Sequence, residues 1–454
     1  MSLFSLLGTA RDGMAAQSAA LSTTSANVAN VSTPGYTRRV AQLETTAVDG
    51  GVRYASTART FDRFAYANVV DQQAKLSAAA SRAGALSEVE NAIAPTDNNI
   101  GDQAVNLVAS FNTLAGAPED PSLRADVLDK ADQLASTISQ TQTQLSSTSE
   151  NLLGQAGDTV KQLNSDLAHI ADLNQQIATA QGTGADSNGL RDQRDAAIRT
   201  VGSAIGAKAI EGKDGRVTLY AAGAVLVEGD HSSTLSMDLD ATTGAMRFYA
   251  QGAAKNEITT NVTTGTLGGV REARDVDLAA TQKNLDQYAF DIANTFNAIH
   301  ASGYGTDGNT GRDLFTVTAT ATGAAKAMAL DPTMKGHPEF VATAGSLSEL
   351  PGGNTTVLKL ANLADSASFG GQTLADRFAG LATDIGFRKV GADDEQTLRT
   401  DTLASAESAN DSASGVSLDD EMVNLTAYQR AFEASSKVLQ ATNTLFDSLM
   451  SIIV

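Results

Sequence analysis

The stretch SLDDEMVNLTAYQRAFEASSKVLQATNTLFDSLMSII, residues 417–453, sets the architecture of this chain. Its large apolar residues recur every seven positions, which is typical of a helix that packs along another helix. The seven-spaced residues are Leu418, Leu425, Phe432, Leu439, Phe446 and Ile453. Ser417, with Asp420 three residues later, indicates the start of the helix. At ~1.5 Å per residue the helix would be about 50 Å long, and an apolar stripe of that length requires a partner.

A matching stripe occurs at the other end of the chain. Leu7, Met14, Leu21 and Val28 are again seven residues apart. Two matched stripes predict that the N-terminal and C-terminal helices pair with each other. The alternative is that each helix buries its apolar face separately in a local bundle, and periodicity alone leaves that alternative open.

Composition favours long helices and argues against two classes of partner. The 454 residues are enough for several domains, and 52 acidic against 32 basic residues give a net charge of -20. That charge opposes binding to nucleic acid and to anionic membranes. Hydrophobic residues make up 42% of the chain but aromatic residues only 5%, so the buried surface must come mainly from aliphatic side chains.

The chain contains no cysteine, which excludes disulfides, thiolate metal sites and a cysteine nucleophile. Its apolar N-terminus is interrupted by Arg11 and Asp12, and neither a positive segment nor a cleavage site frames it. We therefore expect no cleaved signal peptide. Nowhere does an apolar run approach the ~20 residues that cross a bilayer.

We predict a multidomain α+β fold with a long α-helical coiled-coil or bundle core, built from both terminal regions, and small β-rich domains inserted in the middle. The predicted parts are an N-terminal axial helix with an extended segment (1–60), a long-helix bundle (61–202), a small inserted β-domain (203–268), a returning bundle helix (269–302), a mixed β-rich or irregular insert (303–370), further bundle helices (371–415) and a C-terminal axial helix (416–454).

Within these parts, local patterns predict individual elements. Apolar spacing predicts separate helices at 122–148 and 151–180, and two more at 374–385 and 394–411. Short β-branched runs predict strands at 314–320 and 356–360.

Residues that could carry catalysis or bind a cofactor are scattered. The four histidines, His169, His231, His300 and His337, show no metal-ligand spacing, and no hydrolase or nucleotide-binding motif occurs. The loop 307–313 has some character of a calcium loop, but its twelfth position is Thr318 rather than glutamate, which favours a surface turn. We predict no enzyme activity and no cofactor or metal.

Several motifs resemble those of one protein family. ANVANVSTPGY, residues 26–36, resembles the signature that follows the N-terminal helix of bacterial flagellar rod, hook and hook-associated proteins. SGVSLDDEM (414–422), LRDQRD (190–195), GTLGGV (265–270) and FNAIH (296–300) resemble the flagellar hook-associated protein 1 (FlgK) family more specifically. The resemblance covers most of the chain and weakens across 230–262 and 312–370.

The resemblance implies an extracellular structural protein at the junction of the flagellar hook and filament, exported through the flagellar type III secretion apparatus. It implies self-assembly, contact with the neighbouring hook protein and with the next hook-associated or filament protein, and an export chaperone on the C-terminal helix. It further implies termini that become ordered on assembly. The alternatives are another axial subunit, from the hook or distal rod, and an adhesin or hydrolase on a flagellar-type scaffold.

Two kinds of residue are candidates for assembly. The first kind forms the terminal apolar stripes, and the second shapes the turn after the first helix, where Asn27 and Asn30 would satisfy freed backbone groups. The candidates are Leu7, Met14, Leu21, Asn27, Val28, Asn30, Pro34, Gly35, Tyr36, Leu418, Leu425, Phe432, Leu439, Phe446 and Ile453.

Overall fold

Long helices dominate the chain in a computed structural model that describes residues 3–46, 51–95, 97–252 and 254–453. The helices are α1 (Leu3–Ala29), α2 (Arg63–Ile93), α3 (Ile100–Gly116), α4 (Pro121–Thr183), α5 (Asn188–Ile205), α6 (Gly265–Glu272), α7 (Ala279–His300), α8 (Ala324–Ala327), α9 (Thr355–Ala361), α10 (Leu374–Ser414) and α11 (Leu418–Ile453). A π-helical segment, Ala273–Leu278, connects α6 to α7.

The strands are short, antiparallel and confined to the inserts between helices. They are β1 (Arg39–Thr45), β2 (Val52–Arg59), β3 (Ala207–Glu211), β4 (Val217–Ala221), β5 (Ala224–Glu228), β6 (His231–Ser232), β7 (Thr234–Leu239), β8 (Met246–Gln251), β9 (Lys255–Glu257), β10 (Phe315–Thr316) and β11 (Ala329–Leu330). β1 pairs with β2 and β10 with β11, and the middle of the chain forms the sheets β3-β4-β5-β6 and β7-β8-β9. The predicted fold class, a helical core with inserted β-rich regions, is confirmed.

The prediction of two helices at 122–148 and 151–180 was wrong, because α4 runs without interruption through 63 residues. Its N-terminus is capped by Asp120, whose side chain accepts a hydrogen bond from the backbone N–H of Ser122 at 2.7 Å. The predicted break contains neither proline nor glycine, and Leu145, Leu152 and Ala156 continue the buried stripe through it. Continuous burial on one side therefore keeps the helix intact.

Two further element predictions were also wrong. Residues 356–360 form α9 instead of a strand, because the buried Thr356, Val357 and Leu360 lie on one face of a helix. The two helices predicted at 374–385 and 394–411 are one helix, α10. Gly386 and Gly391 lie inside it, and packing against α2 stabilises the helix despite their low helix propensity. Of the strand predicted at 314–320, only Phe315–Thr316 forms.

The body, residues 63–414, has one large apolar core that joins α2–α7, α9 and α10 with both central sheets. Phe111 and Phe296 are fully buried and stack with their ring centroids 6.0 Å apart. Phe296 also meets Phe315 edge to face at 6.0 Å. The large side chains of this core all lie within the body, so the body has an apolar core of its own.

Asparagines on helices dock extended segments onto the body. Each amide donates to the C=O and accepts from the N–H of one and the same residue, as a neighbouring strand would. The pairs are Asn164 with Leu235 (2.9 and 2.7 Å), Asn174 with Val217 (2.8 and 2.9 Å) and Asn297 with Phe315 (2.8 and 2.9 Å). We call each such pair an asparagine clip.

The two terminal helices pair with each other, as the matched stripes predict. The rings of Phe4 and Phe446 meet edge to face at 6.0 Å, and Gly13 lies against the hydroxyl of Ser435. The fully buried residues of α1 are small or polar. They are Ala10, Ala16, Ala20, Thr24 and Asn27. The helices therefore approach each other closely, and the large residues of the stripes flank the contact.

Candidate functional site: the terminal joint

The terminal pair meets the body at a cluster of polar side chains centred on Asn27, at the C-terminal end of α1. The Asn27 amide nitrogen donates to the carbonyl of Arg39 at 2.8 Å and to Glu421 Oε2 at 3.0 Å. Its oxygen accepts from the N–H of Arg39 at 3.0 Å and from the Tyr36 hydroxyl at 2.9 Å. All four hydrogen-bonding positions of this buried amide are satisfied, and Asn27 with Arg39 forms a further asparagine clip.

Glu421 brings the start of α11 into the same cluster. Its carboxylate is 1% exposed, and Oε1 accepts from Arg38 Nε at 2.7 Å while Oε2 accepts from Asn27. A buried carboxylate is costly unless it is paired and hydrogen-bonded, as it is here. Loss of either partner would leave the charge uncompensated, so α1, α11 and the chain at Arg38 hold each other in place.

The end of α10 completes the contact with the body. The carbonyl of Ser414 accepts from the N–H of Arg38 at 3.0 Å, and its hydroxyl accepts from the N–H of Asp62 at 3.2 Å. We call the group formed by Asn27, Tyr36, Arg38, Arg39, Ser414 and Glu421 the terminal joint. It links α1, the strand entry, α10 and α11 at one point.

The turn between α1 and β1 shapes one side of the joint. Asn30 donates to the carbonyl of Ala26 at 2.8 Å, closing the end of α1. Gly35 has φ of +79°, a conformation that favours glycine, and the turn places the Tyr36 ring 5.0 Å from the Arg39 guanidinium. Pro34 is exposed and makes the turn without packing into the joint. Burial raises the pKa of Tyr36, whose hydroxyl acts here as a donor to Asn27.

Acidic residues of α5 fix the β1–β2 hairpin to the body beside the joint. Asp192 accepts from Thr37 at 2.6 Å and pairs with Arg39 at 3.1 Å and Arg59 at 3.2 Å. Arg59 also pairs with Asp195. The RDQRD motif at the start of α5 thus anchors the hairpin, a role that its spacing alone did not suggest.

The structure places the candidate stripe residues at the margin of the terminal pair. Leu7, Met14, Leu21, Val28, Leu425, Phe432 and Leu439 are half-buried, and Leu418 and Phe446 are exposed. The side chain of Ile453 lies outside the described part of the chain. The structure thus brings together Asn27 and Tyr36 but leaves the large apolar residues partly open to solvent.

The joint also contains Glu421, Arg38 and Ser414, which sequence reasoning missed. One signal was available for Glu421. It lies three residues after Leu418 and four before Leu425, on the face of the helix that carries the apolar stripe, where an acidic residue is out of place unless it has a partner. The acidic run 419–421 also suits the positive end of the helix dipole, and this local role conceals the specific one of Glu421.

A catalytic or metal-binding arrangement is not found among the described residues. They contain no group of three or more side chains suited to hold a metal ion, and no helix within them is long and apolar enough to cross a membrane. In the loop 307–313, Asp307 pairs with Arg312. The guanidinium of Arg312 holds the pKa of the Asp307 carboxyl well below its usual range. His300 is fully buried, with Nδ1 2.7 Å from the Arg312 carbonyl and Nε2 accepting from the N–H of Ala342 at 3.0 Å.

Comparison with known proteins links the middle and both ends of the chain to the flagellum. The model of the flagellar hook-associated protein FlgK helical domain matches residues 86–315. Residues 7–37 match the flagella basal body rod protein model, and residues 408–452 match the model of the flagellar basal body rod FlgEFG protein C-terminal. The termini thus belong to the wider class of axial proteins, and the middle distinguishes the hook-associated protein.

Individual relatives agree along the full length of the chain. Flagellar hook-associated protein 1 of Salmonella typhimurium is 27% identical over 550 residues, covering 99% of this chain and 100% of that protein. The protein of the same name from Bacillus subtilis is 28% identical over 505 residues, covering 99% and 98%. The structure of the flagellar hook junction protein FlgK from Burkholderia pseudomallei shares the fold, with a TM-score of 0.68 at 17% identity over 77% of this chain and 100% of that one. Because the FlgK helical-domain model matches half of its length, this chain belongs to the FlgK family of flagellar hook-associated proteins, which are structural proteins of the flagellum and not enzymes.

Proposed function

We propose that this protein assembles with copies of itself into the junction between the flagellar hook and filament, outside the cell. The observation that carries the proposal is the surface of α11. Met422 is 56% exposed, Val423 69% and Leu445 58%. These side chains lie on the helix that pairs with α1, so one copy leaves a long apolar surface uncovered, of the kind that marks a protein–protein interface.

Neighbouring subunits are the partners that would cover this surface. The names of the relatives and the rod-type matches at both termini support an axial position, with the hook protein on one side and a further hook-associated or filament protein on the other. In this proposal the terminal stripes and the turn at Pro34 and Gly35 serve assembly, and the segments 1–60 and 416–454 form the axial part of the subunit. The parts 61–202, 203–268, 269–302, 303–370 and 371–415 form its outer body.

Export would precede assembly. We propose that the chain leaves the cell unfolded through the flagellar type III apparatus without a cleaved signal, and that an export chaperone covers α11 before export. The absence of cysteine and the small buried residues of the contact between α1 and α11 support a chain that can be threaded and then refolded.

Amide hydrogen exchange on the purified monomer tests the assembly proposal. We expect fast exchange in residues 3–40 and 415–453 and strong protection in 122–180, because the body has its own core and the terminal pair does not. After incorporation into flagella, the termini should become as protected as the body. Equal protection in the free monomer would show that the terminal pair is already complete and would remove the basis for assembly through it.

Complementation tests the biological role. A flagellated bacterium that lacks its own hook-associated protein 1 should regain filaments and swimming when it produces this chain or a version adapted to its export system. When it is produced at the same level, the Glu421→Gln variant should restore less swimming than the unsubstituted chain. The control variant Asp419→Asn changes an exposed neighbour and should restore as much swimming as the unsubstituted chain. If the protein is exported and folded but filaments still fail to attach, the proposed role is wrong.

A further inference from the structure

The body carries a second uncovered apolar surface, on α10. Phe387 is 75% exposed, and Val390 and Leu398 are each 55% exposed. With the exposed Asp394 they follow a spacing of three, four and four residues, so they lie along one face of the helix. The opposite face of α10 is already used, because Ala392, Leu403 and Ala406 are buried against α2. We call Phe387, Val390, Asp394 and Leu398 the outer stripe.

A groove of about 950 Å³ lies elsewhere on the body, between β2, the start of α2, the start of α5 and β3. Its floor contains the buried apolar residues Val70, Ile198 and Val217, and Ile210 stands at its rim with 61% exposure. The groove therefore has the size to accept large side chains, over a lining that is part apolar and part polar.

The two surfaces differ in charge. Among the described residues, five arginine or lysine residues and four carboxylates line the groove. Arg59, Arg191 and Arg194 already pair with carboxylates of the same copy, so the groove is close to neutral. Helix α10 carries eight carboxylates against four basic residues. Two α10 faces from different copies would repel each other, whereas α10 against the groove juxtaposes Asp394 with the exposed Lys208 and with Arg63, which already pairs with Glu211 at 3.0 Å.

One copy cannot bring these surfaces together by itself. The α2 residues at the groove, such as Tyr66 and Val70, lie on a different face from Val69 and Leu86, which face α10. The surfaces are also offset along the helix pair, because Leu403 packs against Val69 near the groove and Phe387 lies 16 residues from Leu403. At ~1.5 Å per residue that offset is roughly 25 Å.

The groove favours side-chain contacts over addition of a strand. At the edge of β2 that faces α5, the carbonyl of Thr57 already accepts from the Asn188 amide at 2.8 Å. A helix that offers apolar side chains every three or four residues is the complementary occupant, and α10 is such a helix.

We propose that the outer stripe of one copy docks into the groove of the next copy, displaced by roughly 25 Å along the helix axis. Such a head-to-tail contact uses two different surfaces and repeats from copy to copy, as a ring or tube requires. The inference rests on the proposed self-assembly and deepens it, because it assigns a contact between bodies in addition to the contacts of the terminal helices.

Cysteine cross-linking tests the contact, and the chain has no cysteine of its own to interfere. Cells that assemble flagella with this chain would produce Phe387→Cys and Ile210→Cys variants together, and intact flagella would be oxidised. Both side chains are exposed, so the substitutions leave each copy folded. We expect a disulfide-linked dimer only when both variants are present, since a disulfide requires Cα atoms within about 7 Å.

In the matched control, the Phe387→Cys variant is produced together with Phe64→Cys in place of Ile210→Cys. Phe64 is 90% exposed and lies close to the groove in sequence but does not line it. That pair should give no dimer above the single variants. Adding Asp394→Lys to the Phe387→Cys chain should lower the dimer yield about fivefold, and adding Lys208→Asp to the partner variant should restore it, since an exposed pair contributes up to ~1 kcal/mol.

Each other outcome overturns the proposal in a distinguishable way. A dimer from Phe387→Cys alone would mean that two outer stripes meet, and a cross-link to a different flagellar protein would mean that another partner covers the stripe. Incorporation of both variants into flagella without the dimer would refute this contact and leave the proposed function intact. If the unsubstituted chain is absent from flagella, both proposals fail together.

Discussion

The body and the terminal helix pair bury different kinds of side chain. In the body, Phe111, Phe296 and Tyr288 are almost completely withdrawn from solvent. In the terminal pair the buried residues are alanines, Thr24, Thr442 and the polar partners Asn27 and Glu421. Apolar area is the main source of folding free energy, so we expect the body to be the more stable region. In the proposed assembly, the terminal pair depends on its polar joint and on neighbouring copies.

The largest expected effect is on the stability of the body. Phe296→Ala removes a buried ring that contacts two other rings, and we expect the free energy of unfolding of the body to fall by about 3–5 kcal/mol. Phe64→Ala, at a 90% exposed position, should change it by less than ~0.5 kcal/mol. Chemical denaturation followed by circular dichroism measures both. Similar losses for the two variants would mean that the aromatic core does not support the body.

The next largest expected effect is a loss of stability at acidic pH, in the insert (303–370) that packs on α7. Burial lowers the pKa of His300 from 6.5 to about 4. The folded chain therefore binds this proton less readily than the unfolded chain, so the stability from neutral His300 is complete above pH 6.5 and is lost as the pH falls towards 4. The loss reaches about 3 kcal/mol by linkage.

Unfolding measured between pH 4 and 7 checks the role of His300. His300→Gln should be less stable than the unsubstituted chain at neutral pH and should show a flatter dependence on pH. His169→Gln, at an exposed position on α4, should keep the original slope. An unchanged slope in His300→Gln would assign the acid sensitivity to other groups.

A smaller effect tests the polar joint. Glu421→Gln keeps the shape of the side chain but removes the charge that pairs with Arg38, and we expect local opening of α11 to become easier by about 1–3 kcal/mol. Hydrogen exchange in residues 418–453, which we already expect to be faster than in the body, should accelerate further, while the unfolding of the body stays unchanged. Asp419→Asn provides the exposed control. Loss of body stability in Glu421→Gln would show that the two regions fold as one unit.

The smallest effects come from two glycines at the N-terminal end and have opposite signs. Gly8 lies inside α1 with open space around it, so Gly8→Ala should stabilise that helix by about 0.5–1 kcal/mol. Gly35→Ala must adopt φ of +79° and should destabilise the turn by about 1 kcal/mol. Slower exchange over α1 in the first variant and faster exchange around residues 30–38 in the second would agree with these signs.

Sequence patterns predicted the parts of the fold that follow a local period. The heptads at both termini predicted the pairing of α1 with α11, and Pro34 with Gly35 predicted the end of α1. Helix continuity through residues 149–150 and through Gly386 could not be predicted, because packing against other elements overrides weak local propensity there. The helix at Thr355–Ala361 was missed since its β-branched residues favour a strand locally.

The joint was only half predictable for a related reason. Asn27, Asn30 and Tyr36 stand in a motif, so their importance was visible in one segment of the chain. Glu421 lies 394 residues from Asn27, and no local pattern in either segment indicates that these two residues are in contact. The uncovered surfaces of α10 and the groove depend on how distant elements pack, and no local pattern contains that information.

The asparagine clips have a consequence for how variable the docked segments can be. Each amide recognises only the peptide group of its partner, and the partners include the charged Arg39 as well as the apolar Val217, Leu235 and Phe315. A mutation that changes the docked side chain therefore leaves the two hydrogen bonds in place, whereas Asn→Asp would set a carboxylate against a carbonyl oxygen. The clips themselves therefore place no demand on the docked side chains, and the constraint on Val217, Leu235 and Phe315 comes from their burial in the core.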